Sequence, residues 1–355
     1  MFFRSKLLWS CLLFLLGAIP VGAQSPSFDT SPRQKFQSPM DWATLTSSLA
    51  TNPNDPTLVR QSEAAVESGL PDQLPIIWTE HLPVQTVTLP DNLGLQVTPN
   101  IYLPTPAIEP QHGAAFPCVT DFYVPTETAG TDRLLCRLHF MDDGDVSLAG
   151  RVGALLTLLH RTQVSRMGAE PAEGAQPFNV WLCRQGPAGE DEWHRNIYFY
   201  DLDTPRSSIE WVREIAHEYS HMAMPAIGGY TAPEYWANGY YGERLLVRWL
   251  AKTPGDSALV ARVWGNFSGW PNFERLLITP VISLYEKTGS NKAMEARTDK
   301  KGMDYLIGQI LVFDGKYGSR RLADAFSYLP HAREALGPDF GAAESAMLSQ
   351  QASGR

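Results

Sequence analysis

The sequence predicts an α+β fold: a small mixed sheet packed on one amphipathic helix, with a mostly helical second half. Two observations carry that reading. Short runs rich in β-branched and aromatic residues, Leu134–Phe140, Phe178–Cys183 and Asn196–Tyr200, have the composition of buried strands. Apolar residues at helical spacing run from Val146 to Met167, and helical patterns follow one another from Ser207 to about residue 335.

Composition sets the outer bounds. A chain of 355 residues that is 44% hydrophobic can bury a full core, and 11% aromatic content excludes a wholly disordered polymer. The formal net charge of −9 argues against a nucleic-acid binder, which needs a basic surface to displace counterions from phosphates. The one long apolar run lies at the N-terminus, which excludes a multi-span membrane protein.

That run begins the chain. Arg4 and Lys6 precede the apolar stretch Leu7–Ile19, and Val21-Gly22-Ala23 offers a small-residue cleavage site. A membrane-spanning helix needs about 20 apolar residues, so the stretch is too short to span. Residues 1–23 therefore read as a signal peptide. The mature chain begins near Gln24 and is secreted or periplasmic, with no stable membrane insertion after cleavage.

Residues 24–130 form a proline-rich region of short helices and edge strands. Its first part, 24–40, is rich in Ser, Pro and Gln and reads as a flexible lead-in. Asp41 to Ser68 has a helical pattern, broken by Asn52-Pro53-Asn54-Asp55-Pro56 into two short helices. Prolines from Pro71 to Pro125 forbid long helices, and alternation as in Val84–Leu89 suggests edge strands. Residues 131–335 form the domain that carries chemistry. Within it, Asp142-Asp143-Gly144-Asp145 reads as a turn and helix cap, because the glutamate that ends a calcium loop is missing. Residues 336–355 read as a polar tail. Cys118 and Cys136 could close a disulfide loop; otherwise these two and Cys183 are small buried hydrophobes in strands.

The strongest motif lies at mid-chain. Ser207-Ser208-Ile209-Glu210 matches a capping box and opens a helix that Pro225 stops. Inside it stands His217-Glu218-Tyr219-Ser220-His221, the HExxH pattern. Residues at i and i+4 share a helix face, so both imidazoles can reach one ion, with zinc the expected metal. Glu218, beside the first histidine, can take a proton from a water at the ion's open position.

No histidine follows His221 until His331, so the third ligand is expected to be a carboxylate. Glu234 and Glu243 are the candidates. Thr231-Ala232-Pro233-Glu234 is itself a capping box, which would occupy Glu234 at a helix start. Glu243, deeper in that helix, is favoured as the ligand. Tyr230, Tyr240, Tyr241, Tyr305 and His331 are open candidates for a transition-state donor.

With HExxH followed by a glutamate on a second helix, the chain resembles the gluzincin superfamily of zinc metallopeptidases. Its strand-helix-strand lead-in and the Lys316-Tyr317-Gly318 turn resemble the extracytoplasmic peptidase-MA-like group more closely. The resemblance spans residues 131 to 330 and implies a zincin-like fold, a zinc cofactor and a peptide or protein substrate. One position departs from the group. Where its metal-binding glutamate precedes a glycine, Trp236-Ala237-Asn238-Gly239 has asparagine, and the helper acid four residues beyond Glu243 would be Val247. The resemblance thus leaves two expectations: an exported zinc peptidase with His217, His221 and Glu243 as ligands and Glu218 as base, or a degenerate zincin-like binding or structural module.

Overall fold

The computed structural model describes residues 85–89, 93–97, 101–109, 113–125, 132–142, 145–168, 177–184, 190–193, 195–264, 269–330 and 335–353. The expected signal peptide, the lead-in and the two helices before residue 70 lie outside them. Within these residues the fold is α+β, with one mixed sheet in the first half and helices in the second.

The sheet has eight strands: β1 (Gln85–Leu89), β2 (Leu93–Val97), β3 (Ile101–Ile108), β4 (Ala115–Pro125), β5 (Asp132–Phe140), β6 (Phe178–Leu182), β7 (Glu190–Trp193) and β8 (Asn196–Phe199). Its order is β1-β2-β4-β5-β6-β8-β7, with β3 also paired to β4. β5, β6 and β8 run parallel, and all other pairings are antiparallel. Parallel neighbours need a crossover, and helix α1 (Val146–Met167) supplies it between β5 and β6. The proline-rich stretch contributes more than loose edges: β1 to β4 belong to the same sheet as the strands beyond residue 131.

Alternation along the strands divides their side chains between two faces. Cys136, Leu138 and Phe140 of β5, Val180 and Leu182 of β6, and Ile197 and Phe199 of β8 join the main core. On the other face Arg137, His139, Asn179, Trp181 and Asn196 are buried as well. Several of their polar atoms pair within this layer. Arg137 forks onto Asp121 at 2.6 and 2.7 Å, while His139 stacks on Trp181 and meets Asn179 Oδ1 at 3.1 Å. Asn196 Oδ1 accepts from both Asn179 and Trp181.

Helix α2 (Ser208–Ala223) carries the HExxH segment. Its capping box is formed: Glu210 N–H donates to Ser207 Oγ, and Ser207 N–H donates to Glu210 Oε2. Trp211, Val212, Ile215, Ala216, Tyr219, Met222 and Ala223 bury one face in the core. A short strand, β9 (Ile227–Gly228), and an irregular segment then lead to α3 (Asn238–Lys252), which packs on α2. The approach is close. A Cβ on Gly242 would overlap the Ser220 side chain, and one on Gly239 would overlap both histidine rings.

The helical second half continues with α4 (Pro254–Trp264), α5 (Trp270–Phe273), a π-turn (Glu274–Ile278), α6 (Thr279–Thr288), α7 (Lys292–Glu295), α8 (Lys300–Tyr317) and α9 (Ser319–Phe326). Lys316-Tyr317 closes α8, and Gly318 follows with φ +87, a conformation that glycine adopts freely. No helix among the described residues is long and apolar enough to cross a membrane.

The end of the chain departs from expectation. Up to Ser353 it is not a polar tail: β10 (Ala335–Leu336) pairs with β9, and α10 (Gly337–Ser353) docks on α8 and α9. Phe340, Ala343 and Met347 fall on one helical face and are buried, a pattern hidden by small and polar neighbours. Of the two readings left open for the cysteines, the structure has the buried one: Cys118, Cys136 and Cys183 are all free and buried. Asp145 also serves otherwise than expected; it makes no side-chain cap for α1 and instead accepts from Arg184 at 2.7 Å.

The glycine contact yields a paired test. Gly242→Ala is expected to lower stability by about 1–3 kcal/mol through overpacking against Ser220. Gly150→Ala, where nothing lies within 4 Å of the new Cβ, should raise it by about 0.5–1 kcal/mol through backbone entropy. Urea midpoints of the two variants decide; equal shifts would show that the α2–α3 approach is not constrained.

Candidate metal centre

Helical spacing brings the two imidazoles together as expected, with His217 Nε2 and His221 Nε2 3.2 Å apart. What faces them is not Glu243. Glu234 Oε1 lies 3.5 Å from each Nε2 atom. Both contacts are longer than a good hydrogen bond, and this enclosed oxygen has no hydrogen-bond partner.

The difference has a local cause. The Thr231–Glu234 capping box does not form, because α3 begins only at Asn238. Glu234 stays in the irregular segment before the helix, released from cap duty. That segment is tied at one end: Thr231 N–H and Oγ1 both donate to Thr298 O, at 2.6 and 3.0 Å. At the other end Ala237 N–H donates to Ile227 O. Glu243 instead lies behind His217, with Oε2 3.6 Å from Nδ1 and Oε1 accepting from Arg213 Nε at 2.6 Å. The Glu243 carboxylate, expected as the third ligand, is thus not brought to the space between the two Nε2 atoms but to the opposite edge of the His217 ring.

Asn238 takes the equivalent place behind His221, with Oδ1 3.2 Å from Nδ1. Each ring thus presents Nδ1 to an oxygen of α3 and Nε2 to the shared space in front. This is the arrangement that fixes ring tautomer and orientation in metal-binding histidines.

Three observations test whether an ion fits. Bonds of about 2.0–2.1 Å to a tetrahedral ion put neighbouring ligand atoms roughly 3.3–3.4 Å apart. The triangle of His217 Nε2, His221 Nε2 and Glu234 Oε1 has sides of 3.2, 3.5 and 3.5 Å. A Cβ built on Gly239 would fall against both Nε2 atoms, so the absent side chain leaves a recess at that point. The third observation is the enclosed Glu234 oxygen that no donor satisfies. Among the described residues, His217, Glu218 and His221 also form a group whose ligand atoms all lie within 4.8 Å of one another.

Charge agrees with geometry. Burial alone would lower the His217 pKa, but Glu234, Glu243 and Glu218 together hold it well above the usual value. Glu234 is drawn below the ordinary carboxylate range, burial being outweighed by His217 and His221. For Glu243, burial is outweighed by Arg213, then His217 and Arg244, and its pKa falls to about 2. Carboxylates around two imidazoles make a site suited to a cation.

Glu218 is buried, with Oε1 3.9 Å from His217 Nε2. Of the tyrosines considered as donors, Tyr240 lies against the site, its ring 4.6 Å from that of His217. Tyr241 and Tyr305 turn their hydroxyls to Pro225 O and Gly289 O, while the Tyr230 hydroxyl abuts Gly337. His331 lies outside the described residues. No protein-family model matches the chain, and no curated protein matches it.

The two glutamates can be separated by experiment. Glu234→Ala should lower affinity for a divalent ion by an order of magnitude or more, as loss of a direct bond does. Gly239→Ala should abolish binding by filling the recess. Metal per mole of protein after dialysis against a weak chelator is the measurement. Retention by Glu234→Ala alongside loss from Glu243→Ala would restore the original assignment.

Proposed function

We propose that the chain is a zincin-like zinc hydrolase acting on peptide bonds, with His217, His221 and Glu234 as the metal ligands and Glu218 as the base. The triangle of Nε2, Nε2 and Oε1 carries this reading, because its sides match a tetrahedral spacing, and three protein ligands would leave a tetrahedral ion one position for water or substrate. A zinc ion held there would polarise a substrate carbonyl and lower the pKa of a nearby water.

The chain's own residues supply the rest. Glu218 takes the proton of the attacking water and hands it to the leaving amine nitrogen. Its burial keeps bulk water from competing for that proton. Asn238 and Glu243 hold the rings so that Nε2, not Nδ1, faces the reaction space. Peptide is favoured as the substrate by the sheet. β7 is its terminal strand, it packs on α2, and among the described residues no strand pairs with its outer edge. An extended chain can add to such an edge through backbone hydrogen bonds.

Glu218→Gln keeps size and polarity but cannot accept the proton. Hydrolysis of a peptide library by the zinc-loaded protein should fall by about 10² or more, with zinc still bound. Chelator should abolish the wild-type activity, and zinc should restore it. A zinc-loaded wild type that cuts nothing in the library would favour the binding module over the enzyme.

A further inference from the structure

The two rings are supported by chemically different groups. Behind His221 stands a neutral amide, and Asn238 Nδ2 is fixed by backbone carbonyls, the nearest being His221 O at 3.0 Å. Behind His217 stands a carboxylate that is 1% exposed. A buried carboxylate has no intrinsic reason to keep one oxygen against Nδ1; the cation that pairs with it sets the plane.

Two cations are near, and they are not equivalent. Arg244 Nη1 is 3.7 Å from Glu243 Oε2, but its Nη1 and Nε donate to Tyr240 O and Leu277 O. Arg213 Nε donates to Oε1 at 2.6 Å, a short charge-assisted contact. Arg213 precedes His217 by one helical turn, so the two share a face of α2. Glu243 from α3 therefore spans both, one oxygen to each. The guanidinium is itself set over the Phe273 ring, 5.8 Å from its centre.

We propose that Arg213 is a positioning residue of the metal centre: by anchoring Glu243 Oε1 it holds the other carboxylate oxygen at His217 Nδ1, which keeps Nε2 aimed at the space shared with His221 and Glu234. This rests on the metal-centre reading above. Removing Arg213 lets the Glu243 carboxylate turn toward Arg244, and the His217 ring loses the negative oxygen that faces its Nδ1 edge. His221, held by Asn238, is not affected.

The test uses the full chain with Arg213→Met, which removes the charge at similar length, and Arg213→Lys. Arg206→Met is the control, since Arg206, just before α2, pairs with Glu214 of that helix at 2.9 Å without reaching either histidine. Zinc affinity is measured by competition with a chromophoric chelator, and the site is read by the visible spectrum of bound Co2+. The expected result is affinity about 10–100-fold weaker in Arg213→Met and a changed Co2+ spectrum, with Arg213→Lys between it and wild type. Arg206→Met should match wild type in both. Adding Glu243→Gln to Arg213→Met should cost little more, because the two act as one unit. Wild-type affinity in Arg213→Met, or an equal loss in Arg206→Met, would overturn the proposal. If Arg213→Met does not fold, Glu243→Gln and Arg213→Lys carry the test, and a wild-type Co2+ spectrum in both would overturn it. If wild type binds no zinc, the metal-centre reading fails by itself. A metal-free crystal structure of Arg213→Met then decides: a His217 ring unmoved from Glu243 overturns the positioning role, and a turned ring supports it.

Discussion

Everything at the centre depends on how closely α3 can lie on α2. Gly239 and Gly242, three residues apart, remove the side chains that would hold the helices apart at Ser220 and at the two histidines. With that approach allowed, Asn238 and Glu243 reach the Nδ1 edges of both rings, and the segment before α3 brings Glu234 to the Nε2 edges. A helix pair with ordinary spacing would leave the imidazoles without oriented partners, and a ring free to turn is a poor ligand. The glycines are thus as much part of the site as the groups that carry charge.

The sheet and α1 fix α2 from the other side. Tyr219 of α2 donates to Gln163 Oε1 of α1 at 2.9 Å, and Gln163 Nε2 donates to Ala223 O at the end of α2. His160 closes the same buried network, 3.2 Å from the Tyr219 hydroxyl. Such a network ties the register of α2 to that of α1, since a slip by one residue would strand several buried polar groups. Tyr219 is one of the two unspecified positions in the HExxH pattern. Here it is the side that faces inward, while His217 and His221 face out toward α3.

Much of this was legible because it is local. The strands, α1 and the capped α2 follow from periodicity and from Ser207 and Glu210, and the histidine pair follows from a four-residue spacing. That Glu234 would face the histidine pair was not legible, because it depended on where one helix begins. Thr231-Ala232-Pro233-Glu234 satisfies the capping pattern, yet the Thr231 hydroxyl bonds Thr298 O, more than sixty residues away in sequence. A local rule cannot see that competitor. The last helix was missed for a similar reason: Phe340, Ala343 and Met347 are too few to stand out until α8 and α9 offer a surface to bury them. Glycines 239 and 242 carried no signal alone; their meaning lies in what α2 places opposite them.

Asn238 is where sequence and structure give opposite impressions. Beside a family that carries a ligand glutamate there, asparagine suggests a lost site. Its surroundings say what an amide does that a carboxylate cannot. The last carbonyls of α2 have no partner within the helix. Asn238 Nδ2 donates to His221 O at 3.0 Å and lies 3.4 Å from Ser220 O and Met224 O, while Oδ1 accepts at His221 Nδ1. Only a group with both a donor and an acceptor end can close a helix C-terminus and orient a ring at once. A glutamate at 238 would point a second negative oxygen at those carbonyls and take from His221 O the donor it has in Asn238 Nδ2. The carboxylate and the amide have therefore divided the work: Glu234, four residues earlier and outside the helix, faces Nε2 with its charge, and Asn238 serves Nδ1 and the backbone. On that account the asparagine and Glu234 are two halves of one arrangement, and neither makes sense without the other.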